Sequence, residues 1–202
     1  HGVQRFVFTS TTALYGHAAT PDDAAGWVTE DLVPQPKSIY HRTKLAAEAW
    51  LKSAAEAGGP QVTILRMSRC FPEPAPQMAV YRLHRGVDAR DVAQAHALAL
   101  GDFELPHRTF VVSGATPFKP GDAEMLKRDA PAVLRQRAPE LVEAFERRAW
   151  NLPDSIDRVY CPARAEAELG WRARYGYEEV LAMLDAQWSE VLPVKNYLAK
   201  EE

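Results

Sequence analysis

The 202-residue sequence has little of what builds covalent or metal cross-links. Its two cysteines, Cys70 and Cys161, lie far apart and match no metal-ligand spacing. They read as reduced thiols, as in a cytoplasmic protein, rather than as a disulfide. The six histidines include no HxxxH or HxH pair, so no metal site is expected. No apolar run approaches the ~18 residues a membrane span needs, so no membrane partner is expected. A net charge of -3 without a basic stripe gives no reason to expect nucleic acid. The 11 glycines contain neither G-x-G-x-x-G nor G-x-x-G-x-x-G, so a glycine-rich turn for cradling phosphate is missing from this stretch. His1 to Arg5 has no initiator Met and no signal-peptide apolar region, and it runs straight into a strand-like segment. It reads as a chain entered in the middle.

What is present is an ordinary globular composition, 47% hydrophobic and 25% charged, and enough chain to bury a sizeable core. Arg5-Phe6-Val7-Phe8-Thr9-Ser10 is aromatic and β-branched and predicts a buried strand. It runs into a hydroxyl cluster, Thr9-Ser10-Thr11-Thr12. Hydroxyls at the carboxyl end of a strand in an open α/β sheet sit where ligands bind, although Ser and Thr also cap turns. Residues 17–37 are polar and rich in Pro and Asp, and predict a surface loop. A helix follows over 38–56, closed by Gly58-Gly59-Pro60. Within it Tyr40 and Lys44 stand four residues apart, one turn along one face. An ammonium near a phenol favours the phenolate, so the pair could form one proton-transfer unit. The spacing alone arises by chance often enough to carry little weight.

Residues 61–66 predict a second strand, and strand, loop, helix, strand implies a parallel βαβ crossover. Arg69 to Gly86, with Pro72, Pro74 and Pro76, reads as irregular. Residues 91–100 predict a helix opened by Asp91, which caps it or faces a ligand; His96 inside it reads as a packed, hydrogen-bonded side chain. Residues 108–114 predict a third strand. The second half reads as helices near 121–128, 131–137 and 139–149, a short strand over 156–160, a short helix over 163–169 and a terminal helix over 177–191. Arg135, Arg137, Arg147 and Arg148 read as a solvated face paired with Glu140, Glu143 and Glu146.

Several segments in order resemble one family, the extended short-chain dehydrogenase/reductases, which include the NAD-dependent epimerases and dehydratases of nucleotide sugars. They are residues 5–16, ending Thr9-Ser10-Thr11-Thr12-Ala13-Leu14-Tyr15-Gly16; Tyr40-His41-Arg42-Thr43-Lys44, followed by Leu45 and Glu48; Leu65-Arg66; Arg90-Asp91-Val92-Ala93-Gln94-Ala95; and Ala163 to Trp171. The resemblance implies an α/β fold: the C-terminal half of a Rossmann-like, doubly wound parallel sheet (1–68 and 88–114) plus a small, mostly helical substrate-binding region (69–87 and 115–202). The glycine-rich first half of such a domain would lie upstream.

By the same resemblance, Tyr40 exchanges a proton with a substrate hydroxyl, and Lys44 activates it and bonds the nicotinamide ribose. Thr11, with Ser10 and Thr12 as fallbacks, hydrogen-bonds the reacting oxygen. The cofactor is NAD or NADP, held on this side by Thr9, Ser10, Tyr40 and Lys44, with weak affinity in this chain because the pyrophosphate turn is missing. Substrate contacts fall on Thr11, Thr12 and Arg69; Arg69 sits where substrate contacts are common in the family and would meet a diphosphate or carboxylate, or else is a surface arginine.

The implied activity is a 4-epimerase-like oxidoreductase on a small-molecule substrate, a nucleotide sugar. The alternatives are a carbonyl reductase of the same family and a truncated, non-catalytic homologue. A homodimer through the Tyr40–Lys44 helix, whose surface is rich in Ala, is the implied assembly.

Overall fold

The computed structural model describes residues 2–192. In chain order its strands and helices are β1 (Arg5–Thr11), β2 (Gly26–Val28), α1 (Ile39–Glu56), β3 (Gln61–Met67), β4 (Glu73–Pro74), α2 (Ala75–Arg82), α3 (Ala89–Ala99) and β5 (His107–Val112), then α4 (Ala123–Arg128), α5 (Ala130–Arg137), α6 (Pro139–Arg147), β6 (Arg158–Tyr160), α7 (Ala163–Glu168), α8 (Tyr177–Asp185) and β7 (Val191–Leu192). The main sheet has the order β1-β3-β5 and is parallel throughout, with Arg5 opposite Gln61 and Val62 opposite His107.

The central strand β3 is buried on both faces, as a sheet covered on both sides requires. Val62 and Ile64 pack with Ala55 and Leu51 of α1. Leu65 points the other way, into Phe110, Ala95 and Ala99 of α3, and Ala165 and Trp171. Helices on opposite faces of a parallel sheet make it doubly wound. A third apolar cluster unites α2, α4, α5, α6 and α8 through Met78, Leu126, Leu134, Leu141, Phe145 and Val180.

Four expectations are corrected. Residues 69–86 are not irregular: α2 occupies 75–82, with Pro74 as its cap and Pro76 in its first turn. A proline there removes an N–H that has no helical partner anyway. The 17–37 loop contains β2, which pairs in parallel with β6. The helix predicted from Asp91 starts earlier, capped by Asp88, whose side chain accepts from the Arg90 N–H. Asp91 is inside that helix and buried; its two carboxylate oxygens accept from the N–H groups of Arg174 (3.0 Å) and Tyr175 (3.1 Å). The last helix stops at Asp185, where the Gln187 and Trp188 N–H groups turn back onto the Leu184 and Met183 carbonyls, and Val191 joins β7.

The arginine face also differs. Among the described residues, only Glu143 of the expected partners pairs, with Arg147; Arg137 pairs with Asp122 and Arg148 with Asp185. His96 packs as expected, its Nδ1 2.8 Å from the Val92 carbonyl. Cys70 and Cys161 are free thiols. Among the described residues no helix is long and apolar enough to cross a membrane, and no three metal-capable side chains gather.

Candidate functional site

Strand β1 delivers its hydroxyl cluster to the carboxyl edge of the sheet, the edge where open α/β sheets bind ligands. The chain then tightens at once. Thr11 caps a 3-10 turn over Thr12–Tyr15, its Oγ1 accepting from the Ala13 N–H at 3.1 Å. Gly16 follows at φ 58, and a Cβ there would lie 1.9 Å from the Gln35 carbonyl oxygen, so only glycine fits. That contact clamps the 17–37 segment against the turn and leads the chain back to α1. Ser38 caps α1 by accepting from the His41 N–H at 3.2 Å, which sets the helical phase of Tyr40 and Lys44.

All seven site residues expected from the sequence line one cavity of about 480 Å³: Thr9, Ser10, Thr11, Thr12, Tyr40, Lys44 and Arg69. Their hydrogen bonds separate them. The Ser10 hydroxyl is buried and donates to Glu48 Oε1 at 2.5 Å, so its one proton is committed. Thr11 Oγ1 only accepts within the turn and keeps its proton for a ligand. Thr9 Oγ1 lies 2.7 Å from His96 Nε2. Lys44 Nζ donates to the Thr9 carbonyl at 3.0 Å and sits 4.8 Å from the Phe8 ring centroid. An ammonium has three donors, and one is used among the described residues. Tyr40 is 52% exposed on the rim.

Beneath this rim lies a buried ionic network. The Glu48 carboxylate accepts from Arg66 Nη2 at 2.7 Å and Nε at 3.1 Å, and Arg66 Nη1 donates to the Tyr15 hydroxyl at 2.9 Å. It ties α1 to β1 and β3 directly under Ser10. Burial pushes the Tyr15 phenol up to about 12 despite Arg66, so this hydroxyl stays protonated.

The opposite wall holds residues the sequence reading passed over: Tyr81, Arg85, Arg158 and Tyr160. The Tyr81 hydroxyl accepts from Gln77 Nε2 (2.7 Å) and Arg85 Nη2 (2.6 Å), which leaves its own proton free. Asp157 bridges Arg85 (3.3 Å) and Arg158 (2.6 Å). Burial alone would raise the Asp157 carboxyl, but the Arg158 hydrogen bond and nearby guanidinium charges hold it below the usual range. Arg69 pairs with Glu73. Four cations line the cavity, Lys44, Arg69, Arg85 and Arg158, and Glu73 and Asp157 supply two counter-charges. The difference of two positive charges suits a dianion. Gln77, Tyr81 and Arg85 recur every four residues, a signal that a helical reading of 75–85 would have carried.

An open parallel sheet with a hydroxyl-lined cleft at its carboxyl edge, and a Tyr-x-x-x-Lys helix beside it, defines a Rossmann-like α/β fold. Residues 1–81 match the model of the NAD dependent epimerase/dehydratase family. A UDP-glucose 4-epimerase of Bacillus subtilis is 27% identical over 90% of this chain and 62% of its own length. A UDP-glucose 4-epimerase of Corynebacterium glutamicum is 42% identical over 33% of the chain and 18% of its own length. The chain therefore spans less than two thirds of either relative. Among solved structures, a short-chain dehydrogenase/reductase superfamily protein of Agrobacterium tumefaciens with bound NAD superposes with a TM-score of 0.62 at 19% identity, over 98% of this chain and 69% of that one. The UDP-glucose 4-epimerase of Thermotoga maritima with UDP-glucose gives 0.58 at 16% identity, over 92% and 65%. These likenesses show the fold.

Proposed function

We propose that this chain is the proton-transfer and substrate-binding portion of an NAD(P)-dependent nucleotide-sugar epimerase. The observation that carries the reading is the two-walled cavity. Thr11, Tyr40 and Lys44 line it with donors and acceptors suited to a sugar hydroxyl, and the arginine wall leaves one positive charge that, with Lys44, gives the cavity two to match a diphosphate. Residues 1–68 with 88–114 act as the cofactor-facing part, and 69–87 with 115–202 as the substrate-facing part.

The groups on hand fit the nicotinamide end of a dinucleotide. Lys44 has spare ammonium donors, and Thr9 and Ser10 line the same rim. When bound, that cofactor supplies a hydride acceptor and donor. The chain supplies the proton chemistry. Tyr40 exchanges a proton with a substrate hydroxyl through its phenol oxygen. Lys44, with ammonium donors to spare, would assist that exchange and would hold the ribose hydroxyls of a bound cofactor. Thr11 donates its free hydroxyl proton to the reacting oxygen. Arg69, Arg85 and Arg158 hold the diphosphate and so orient the sugar ring towards Tyr40.

Interconversion of UDP-glucose and UDP-galactose with NAD tests the reading. Tyr40→Phe should lower kcat by about 10²-fold or more with little change in KM, as expected for loss of a general acid–base. Retained turnover in that variant would sink the assignment. The cationic wall by itself would also serve a second reading: a fold that binds nucleotide sugars without turnover. UDP binding by calorimetry, combined with no fluorescence response to NADH, would select it.

A further inference from the structure

The turn that carries Tyr40 is fastened at its start by a histidine. Tyr40 is the second residue of α1 and is 52% exposed, so packing fixes it little. Its position follows from the backbone of the first turn, where the amides have no helical partners. Two reciprocal bonds close that turn. Ser38 Oγ accepts from the His41 N–H at 3.2 Å, and His41 Nδ1 accepts from the Lys37 N–H at 3.3 Å. The arrangement follows the logic of a capping box, with His41 in the place of the usual Glu or Gln. Its donor is Lys37, one residue ahead of the cap. The His41 ring also meets the Tyr40 ring edge-on, with centroids 6.1 Å apart.

Histidine plays this part in one form only. A ring nitrogen that accepts from an amide carries no proton, so the proton of neutral His41 is on Nε2. Protonation turns Nδ1 into a donor facing the Lys37 N–H, and the bond is lost. It also places a cation in the first turn of a helix, the end that disfavours positive charge. His41 is 8% exposed. Among the described residues the titratable groups that face it are Lys37 and Arg42, both cations, and the Tyr40 phenol. Burial, then these two cations, hold the imidazole below its usual range, so it is neutral at pH 7. Glu or Gln would be a lasting acceptor here; His41 is one that acid removes.

We propose that neutral His41 is a positioning residue for Tyr40: its Nδ1 holds the entry to α1 and so sets where the phenol stands on the cavity rim. The consequence for turnover rests on the epimerase reading; the bond at the helix entry does not.

Amide exchange of the purified chain, followed by NMR, reads that bond without substrate. His41→Leu keeps the branched shape and removes the acceptor, whereas His41→Asn keeps an acceptor at the same δ position. At pH 7 the Lys37 protection factor should fall about fivefold or more in His41→Leu, the worth of one net hydrogen bond, and stay within about twofold of the parent in His41→Asn. As pH falls well below about 6.5, the parent should approach the His41→Leu level while His41→Asn does not. In turnover of UDP-glucose, His41→Leu should lower kcat by about fivefold or more with KM within about twofold, and His41→Asn should restore it. Lys37 protection equal in His41→Leu and the parent, or a parent that keeps its protection in acid, would overturn the proposal. So would full kcat in His41→Leu once its Lys37 protection is lost. A parent chain without turnover would count against the epimerase reading alone, because the exchange arm still decides the entry bond.

Discussion

Replacing Glu48 with Gln changes one charge and almost no volume. Glu48 is 2% exposed and Arg66 5%. Their pairing is bidentate, at 2.7 Å and 3.1 Å, and Glu48 also accepts the Ser10 proton at 2.5 Å. In Glu48→Gln the guanidinium remains buried and faces an amide that offers one oxygen where two stood. Breaking a buried pair from one side costs about 3–5 kcal/mol, because a charge is left uncompensated. The retained amide oxygen places this variant at the lower end, near 3 kcal/mol. Against a total stability of about 5–15 kcal/mol that is a large loss. The paired variant Glu48→Met/Arg66→Met removes both charges and fills the space with apolar atoms. It should cost less than the two single changes added together, leaving the Tyr15 and Ser10 hydroxyls as the main unmet groups. Urea unfolding, with the m-value checked for constancy, measures all four corners of the cycle. A single change costing under about 1 kcal/mol would refute the claim that this pair clamps α1 to the sheet. So would a double variant no better than the sum.

Two further outcomes follow from other parts of the molecule. His84 is buried, with Nδ1 donating to the Arg158 carbonyl at 2.8 Å, and burial pushes its pKa down to about 3. The unfolded chain binds that proton near pH 6.5, so His84 contributes stability that is intact above about 6.5 and is lost as pH falls towards 3. Urea midpoints at pH 7 and 5 should lose about 2 kcal/mol more in the parent than in His84→Gln; parallel pH profiles would count against it. On α1, Ile39, Thr43, Ala46 and Trp50 form an exposed stripe at helical spacing, with Trp50 70% exposed. We expect this stripe to hold a second copy of the chain, so Trp50→Glu should convert a dimer to monomer in sedimentation; a monomeric parent would end that expectation.

The legible parts of the site are those made by neighbours in sequence. Thr9 to Thr12 end one strand, and Tyr40 and Lys44 share one helical turn, so strand alternation and helical spacing are enough to read them. The adjacent strands and the doubly wound sheet were legible for the same reason. The illegible parts are those where one residue type has two structural uses. Proline marks a breaker in mid-helix but is neutral in a first turn, and Pro74 and Pro76 take the second role in α2. Asp88 and Asp91 stand three apart at a helix start. The sequence does not say which one caps; the structure gives that role to Asp88 and turns Asp91 onto the Arg174 and Tyr175 amides.

The arginine wall was hidden for a different reason, and it decides what the cavity can bind. Arg85 and Asp157 meet across 72 residues of chain, and no local pattern links them. Arg158 reads as one more strand residue until β6 pairs with β2 and brings it beside Arg85. The chemistry of the hydroxyl wall is generic: a Tyr, a Lys and a Thr can move a proton on many alcohols. On the proposed function, the positive charge opposite would favour a diphosphate-bearing sugar over a neutral one. On that reading, substrate class would rest on contacts between distant segments, and reaction type on the local Tyr40–Lys44 turn. Variants of Arg85 or Arg158 should accordingly change KM for a nucleotide sugar, and Tyr40 variants should change kcat.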